Sequence, residues 1–256
     1  MVRITAGSFS MGTDGPDDSQ PDEKPVHRVT LPAFDLDRTE VTVGAYAACV
    51  AAGSCIPYTT VESTTYSEGQ KKAWSQYCNW GKARREQHPI NCVPWDEAKK
   101  FCVWANKRLP TEEEWEYAAR GAEGRTYPWG EDFPGPTLLN ACGGECSDKF
   151  PGWDRMYSGN DGWWHTAPVG SFPAGTSPFG VLDLAGNVWE WTDSEYSRRY
   201  DQPRNTGLRV ARGGSWSVSQ AAVARGAFRL RLAPGDRNYF LGFRCARTAL
   251  LAADAQ

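Results

Sequence analysis

A chain of 256 residues that is 40% hydrophobic is long enough and apolar enough to bury a sizeable core. Its net charge is −3, with 31 acids against 28 bases, and no Lys/Arg run exceeds two residues, which excludes a basic nucleic-acid footprint. No stretch approaches the roughly 18 consecutive apolar residues of a membrane-spanning helix. Twelve Trp accompany 26 Gly and 17 Pro, which points to a core of large side chains wrapped by irregular loops rather than by long regular elements.

Residues 2–11 alternate loosely and end at Gly12, the pattern of one strand entering a turn. The acidic, Pro-rich stretch 13–25 reads as an exposed loop. Residues 26–36 alternate with period two and predict two strands split at Pro32. A helix over 41–52 follows, ended by Gly53, and a long excursion over 54–90 holds a short helix near 69–76. Ala98, Phe101, Cys102 and Trp104/Ala105 recur at helical spacing within 95–106. Thr111 with Glu114 forms a capping box; Trp115, Ala118 and Ala119 make the buried stripe, and Gly121 stops that helix. Residues 140–165 are irregular and rich in oxygen ligands, 167–172 read as a short strand, and 181–192 as a tight turn leading into an apolar strand. No internal repeat or linker divides the chain, so one domain over 1–256 is expected.

The run 209–247 frames a long irregular loop between RGGSW and LGFRC. Leu208, Val210 and Trp216 on one side and Tyr239, Leu241 and Phe243 on the other read as buried strands, the layout of a surface site on a rigid frame. Eight cysteines, Cys49, Cys55, Cys78, Cys92, Cys102, Cys142, Cys146 and Cys245, contain no CxxC pair, which argues against a zinc ribbon. Cys49/Cys55 and Cys142/Cys146 look like small bridges, and Cys78/Cys92 could close a mid-chain loop; the alternative is a set of buried free thiols. An even set of bridges suits an oxidising, extracytoplasmic compartment, periplasmic or secreted. No signal peptide precedes the strand-like start, so a leader was either removed or never existed.

The ordered segments AGSFSMG, DRTEVTVGAYAACV, CVPWDEAKKFCVWANKRLPTEEEWEYAARG, PWG, DLAGNVWEWT, RGGSW and LGFRCA resemble, across nearly the whole chain, the formylglycine-generating enzyme/sulfatase-modifying-factor family. The resemblance implies an α+β, loop-rich, complex C-type lectin-like fold. The family includes copper-dependent formylglycine-generating enzymes, parts of iron-dependent sulfoxide synthases, a pyoverdine-maturation oxidase and variable proteins of diversity-generating retroelements, so the site must decide function.

In the family pattern two Cu(I)-binding cysteines follow GGS; here those positions are Val218 and Val223, and Phe240 stands where active relatives have Asn. Copper and the oxidation it drives are therefore not expected, since soft Cu(I) needs thiolates. Trp189 and Ser215 match pocket-wall positions, but no base accompanies Ser215, which would serve turn hydrogen bonding instead. His27, His88 and His165 lack metal-binding spacing; only His165, beside Trp163-Trp164, invites inspection. The resemblance implies one or two structural Ca²⁺ ions. One would be held by Asp183, Gly186, Val188 and Glu190, the other by Asn140, Ala141, Asp161 and Trp163. The plain alternative has Asp183 and Asn187 capping a turn and Glu190 pairing with an arginine. The resemblance also pairs Cys102 with Cys245.

Three functions follow as expectations. The first is a non-catalytic, monomeric member that binds a protein, peptide or small molecule through the 217–240 surface, using Trp189, Ser215, Trp216, Ser217, Val218, Ser219, Arg229, Arg231, Arg237, Tyr239 and Phe240. The second is a peptide-modifying oxidoreductase of the pyoverdine-maturation type with a different centre. The third is a retroelement-diversified binding protein whose variable window spans about 209–244, where Arg225, Arg229, Arg231, Asp236, Arg237, Asn238 and Tyr239 would form an adaptable face, unless the arginines are consumed in salt bridges to acidic loops.

Overall fold

The computed structural model describes residues 1–15 and 20–249. The N-terminal segment is two strands rather than one. β1 (Val2–Ile4) and β2 (Gly7–Met11) enter different sheets, because the Thr5-Ala6 break redirects the chain. β3 (His27–Leu31) and β4 (Phe34–Leu36) are separated at Pro32, which has no N–H to give a ladder. β2 pairs with β3, and β1 pairs with β4, both antiparallel. β9 (Ala246–Thr248) adds to the other edge of β4, so the first and last strands share one sheet.

A second group of strands carries the run of interest. β5 (Trp189–Glu195), β6 (Arg209–Arg212), β7 (Leu230–Leu232) and β8 (Leu241–Gly242) form a sheet in the order β7-β6-β5-β8. Leu208, Trp216 and Tyr239 fall outside these strands. The flanks are shorter than their apolar residues suggest because Gly213 (φ 98°) and Gly214 (φ 77°) end β6 at once. β7 and β9 are three residues each, too short to show alternation in the sequence.

The described residues form five α-helices. α1 (Val43–Ala51) begins where the Thr42 side chain accepts from the Ala45 N–H, and α2 (Glu68–Ser75) begins in a Ser67/Gln70 capping box. α3 is Trp95–Trp104. α4 (Glu112–Arg120) starts with the Thr111/Glu114 box, buries Trp115, Ala118 and Ala119 completely, and stops at Gly121 (φ 67°). α5 (Gly144–Lys149) lies in the stretch read as irregular; six residues overlapping the Cys142–Cys146 bridge carry no helical period to read. Residues 167–172 are not a strand. Pro168 has no N–H to donate and Gly170 turns the chain at φ 78°, so the segment forms a turn before a short 3-10 helix at Pro173–Gly175.

The acidic stretch 13–25 is only partly the exposed loop expected. Residues 16–19 lie outside the described residues, while Asp22 and Glu23 are buried. They are drawn in by Tyr196, whose hydroxyl donates to Asp22, and by Arg225, whose two Nη atoms donate to the Glu23 carboxylate at 2.8 and 2.9 Å. Among the described residues no helix is long and apolar enough to cross a membrane.

All eight cysteines are bridged, as Cys49–Cys55, Cys78–Cys92, Cys102–Cys245 and Cys142–Cys146. Cys102–Cys245 spans 143 residues and ties α3 to the segment just before β9. It constrains the unfolded chain far more than the four-residue Cys142–Cys146 bridge does, about 5 against about 2 kcal/mol in the chain-entropy picture.

Candidate functional site

The RGGSW turn starts from a close approach. A Cβ on Gly213 would meet the Trp115 ring at 3.1 Å and the Leu184 carbonyl at 3.3 Å, on top of the cost of positive φ. Ser215 is buried and its Oγ lies 3.0 Å from Ser217 Oγ, a turn role with no base beside it. The loop then folds back around Gly214, bringing Val218 Cγ2 to 3.9 Å and the Val223 carbonyl to 3.5 Å from one point beside that glycine. The two valine positions thus meet at the same turn. Their side chains join separate apolar groups: Val218 packs with the cluster of Tyr127, Leu139 and Met156, Val223 with the cluster of Trp189, Trp191 and Phe243. The loop 217–240 itself contains no cysteine or histidine. Among the described residues no three His, Cys, Asp or Glu side chains are placed to hold a metal ion.

Most arginines of this stretch point inward, which corrects the expectation that they form an exposed face. Arg229 is buried and donates to Glu112 (3.0 Å), to the Asp22 carbonyl (2.6 Å) and to the Ser197 carbonyl (3.0 Å). Arg212 pairs with Glu116, and Arg225 with Glu23. Burial pushes the Glu116 carboxyl up, but the Arg212 and Arg120 guanidiniums outweigh it and hold it below the ordinary range. Arg237 is half-buried against Tyr58 and donates to the Thr60 carbonyl. Asp236 and Asn238 are buried too. Trp189, Trp216 and Tyr239 are buried rather than presented, so the residues of the expected surface that reach solvent are Ser217, Val218, Ser219, Arg231, Arg237 and Phe240.

The two oxygen clusters differ. At the first, Arg244 donates to both Glu190 oxygens at 2.6 Å, and to the Leu182 and Asp183 carbonyls at 2.9 and 3.1 Å; Trp115 Nε1 donates to Glu190 at 2.8 Å. Glu190 is thus engaged by a built-in cation, the plain alternative read from the sequence. Asp183 Oδ2 accepts from the Gly170 N–H, and Glu40, absent from the expected set, is buried beside it. Burial, then the Asp183 charge, drives the Glu40 carboxyl well above its usual range. At the second cluster, Asp161 accepts from Tyr157 (2.7 Å) and from the Trp163 N–H (2.8 Å). The buried Asn140 Oδ1 has no hydrogen-bond partner, and both Glu145 oxygens are sealed from water with no donor among the described residues. Burial pushes Asp161 up to about 7, with Glu145 adding to the push. Asn140 and Glu145 therefore leave oxygen ligands unmet beside the Asp161 carboxyl, an arrangement a hard cation would relieve.

One feature escaped the sequence. Trp216 lies under a layer of rings from three distant segments, with centroids at 4.7 Å to His165, 5.5 Å to Tyr239, 5.8 Å to Phe150, 6.0 Å to Trp153 and 6.1 Å to Tyr77. Trp74 stacks on Tyr239 at 4.8 Å. Trp74, Tyr77, Phe150 and Trp153 are half-buried and Trp164 is exposed, so the layer reaches solvent. The count of twelve Trp was the available signal, together with His165 beside two Trp.

His165 and His88 anchor this layer as neutral rings. His165 Nε2 is 3.0 Å from the Tyr77 carbonyl and must donate to it. His88 Nδ1 is 2.9 Å from Arg85 Nη1, which can only donate, so this nitrogen accepts. Burial, then the Arg85 charge, lowers His165 to about 3 and His88 to about 4. A histidine depressed in the folded state adds stability above its unfolded value near 6.5, and that stability is lost as pH falls toward the folded value. We therefore expect the two histidines to pull the free energy of unfolding, measured by urea titration, downward as pH falls from 6.5 to 4, against an opposing gain from the raised Asp161 and Glu40 carboxyls. His165→Gln should weaken that pull; an unchanged slope in the variant would contradict the assignment.

With the geometry in hand, the relatives can be placed beside it. A family described as the sulfatase-modifying factor enzyme 1-like domain matches residues 1–249. The chain is 36% identical to the inactive C-alpha-formylglycine-generating enzyme 2 of Bos taurus, over 97% of this chain and 88% of that protein. It is 32% identical to the formylglycine-generating enzyme of Mus musculus, over 99% of this chain and 76% of that protein. Among solved structures, PvdO from Pseudomonas aeruginosa superposes with a TM-score of 0.73 at 28% identity, covering 97% of this chain and 94% of that one. Relatives named as active and as inactive thus match the same length of chain, and the chain belongs to the sulfatase-modifying factor enzyme 1-like family.

Proposed function

We propose that this protein is a non-catalytic, ligand-binding member of its family, with no copper oxidase centre. The observation that carries this reading is the pair Val218 and Val223, set together at the RGGSW turn while every cysteine is committed to a bridge. Valine offers no thiolate for Cu(I) and no partner for a substrate disulfide. The likeness to a relative named inactive supports the same reading. The binding face runs from Ser217–Ser219 and Phe240 onto the half-buried rings of Trp74 and Trp153. Aromatic groups that combine an apolar face with restricted motion are effective contact residues for a protein, peptide or small-molecule ligand. Four disulfides fit an oxidising compartment, and an extracytoplasmic location accords with this.

In this reading Ca²⁺ braces the loop around 140–163. Asn140, Asp161 and the Ala141 and Trp163 carbonyls would hold it, with Glu145 as a further carboxylate. The unmet oxygens of Asn140 and Glu145 support that fit. At the Asp183/Glu190 cluster the fit is poorer, because Arg244 already engages both Glu190 oxygens. Chelation with EDTA at pH 7.5 should lower the melting temperature, and added Ca²⁺ should restore it; at a concentration about a hundredfold over Kd the ion contributes about 2.7 kcal/mol. Asp161→Asn should remove the response. A melting temperature indifferent to both EDTA and Ca²⁺ would remove calcium from the account.

The likeness to PvdO supports a second reading, a peptide-modifying oxidoreductase with a different centre. One experiment separates the two. Purified protein loaded with Cu(I) is incubated under air with a cysteine-containing sulfatase-type peptide. We expect neither oxygen uptake nor a formylglycine mass change on the peptide. Formation of the aldehyde would overturn the proposal outright, and oxygen uptake with any other peptide product would establish the second reading.

A further inference from the structure

The buried arginines Arg212, Arg225, Arg229 and Arg244 each face a carboxylate. Arg85 does not. It is half-buried, burial alone accounts for the lowering of its pKa, and among the described residues no carboxylate forms an ion pair with it. One nitrogen fixes its position: Nη1 donates to His88 Nδ1 at 2.9 Å, to the Thr166 carbonyl at 3.1 Å and to Thr166 Oγ1 at 3.3 Å. His88 accepts from Arg85 at Nδ1 and is therefore neutral, and burial holds His165 far below its ordinary value, so neither supplies nor cancels charge. The guanidinium is thus oriented by its neighbours while its charge stays uncompensated, which is costly unless an anion completes it.

Arg85 lines a pocket of about 310 Å³ with Tyr77, Asn79, Lys82, Trp164 and His165. Three of these side chains are rings. Tyr77 and Trp164 stand edge-on to one another, with centroids 6.0 Å apart and planes at 79°, and His165 lies 5.5 Å from Tyr77 and 5.7 Å from Trp164. Lys82 is exposed and adds a second positive charge. We propose that this pocket binds a small carboxylate carried on a planar ring, the carboxylate paired with the Arg85 guanidinium and the ring laid against the corner that Tyr77 and Trp164 make with one another. A guanidinium presents parallel N–H donors that match a carboxylate, and flat aromatic walls favour a flat ligand over a hydrated inorganic anion. His165 is shared with the layer over Trp216, so occupation of the pocket would be felt at the RGGSW turn.

The test uses the purified full chain with three probes, benzoate, benzamide and inorganic phosphate, followed by tryptophan fluorescence and saturation-transfer NMR. Benzoate should bind saturably. Benzamide, which keeps the ring and loses the charge, and phosphate, which keeps charge and loses the ring, should each bind at least about tenfold more weakly. Arg85→Gln should weaken benzoate at least about tenfold, and Arg85→Lys by less. Because Arg85 also supports Thr166 and His88, each variant is accepted only with an unchanged circular dichroism spectrum. The exposed Lys82→Gln and Trp164→Ala supply independent arms and should each weaken benzoate several-fold. Absence of saturable benzoate binding, equal affinity for benzamide or phosphate, or full benzoate affinity in the folded Arg85→Gln protein would overturn the proposal. None of these outcomes bears on the non-catalytic reading, which rests on Val218 and Val223.

Discussion

Four carboxylates with no access to water, Glu23, Glu112, Glu116 and Glu190, set the arrangement of the irregular half of this chain. Each takes one arginine from the C-terminal stretch: Arg225, Arg229, Arg212 and Arg244 respectively. A buried ion pair contributes little net stability over an apolar pair of equal volume, but removing one partner alone costs about 3–5 kcal/mol. The consequence is positional. A loop with few backbone ladders of its own can close in only one register, because every other register leaves a charge unpaired. The carboxylates come from the N-terminal loop, from α4 and from β5, so the same pairs also fix those elements against one another. Arg244 adds the Leu182 and Asp183 carbonyls to its bonds, which holds the DLAGN turn against the LGFRC strand.

This internal use of charge separates frame from chemistry. Of the arginines that look in the sequence like an adaptable binding face, Arg225 and Arg229 are the least free to vary, since each is matched to a buried carboxylate, while Arg231 and Arg237 reach solvent. The two positions where the family places copper thiolates are occupied by valines that pack into neighbouring apolar groups, so the turn is preserved while its reactive atoms are gone. What remains at the surface is aromatic: a layer of rings over Trp216, anchored by two neutral histidines and one uncompensated guanidinium. Under the proposed function such a surface would offer a ligand apolar faces and one positive charge.

The legible parts were those written in local patterns. The Thr111/Glu114 box and the stop at Gly121 announced α4, the split at Pro32 announced β3 and β4, and the ordered motifs announced the family and the Cys102–Cys245 bridge. What escaped was non-local or short. Glu23 sat in a run of acids and prolines that reads as solvent-exposed, and only its partner 202 residues away explains its burial. The ring layer gathers Trp74, Phe150, Trp153 and Trp216 from segments with no common period. Residues 167–172 had strand-like composition, but Pro168 and Gly170 overrode it. Arg85 drew no notice in the sequence, because no local signal says that a charge will lack a carboxylate partner.

Every thiol is spent on the frame, which under the proposed function leaves none for catalysis. Counting free thiols on the protein denatured without reductant, under conditions that block exchange, tests it directly. None per chain is expected, with eight appearing after reduction. A free pair before reduction would contradict it, because a thiol pair available to a soft metal is what the frame is held to exclude.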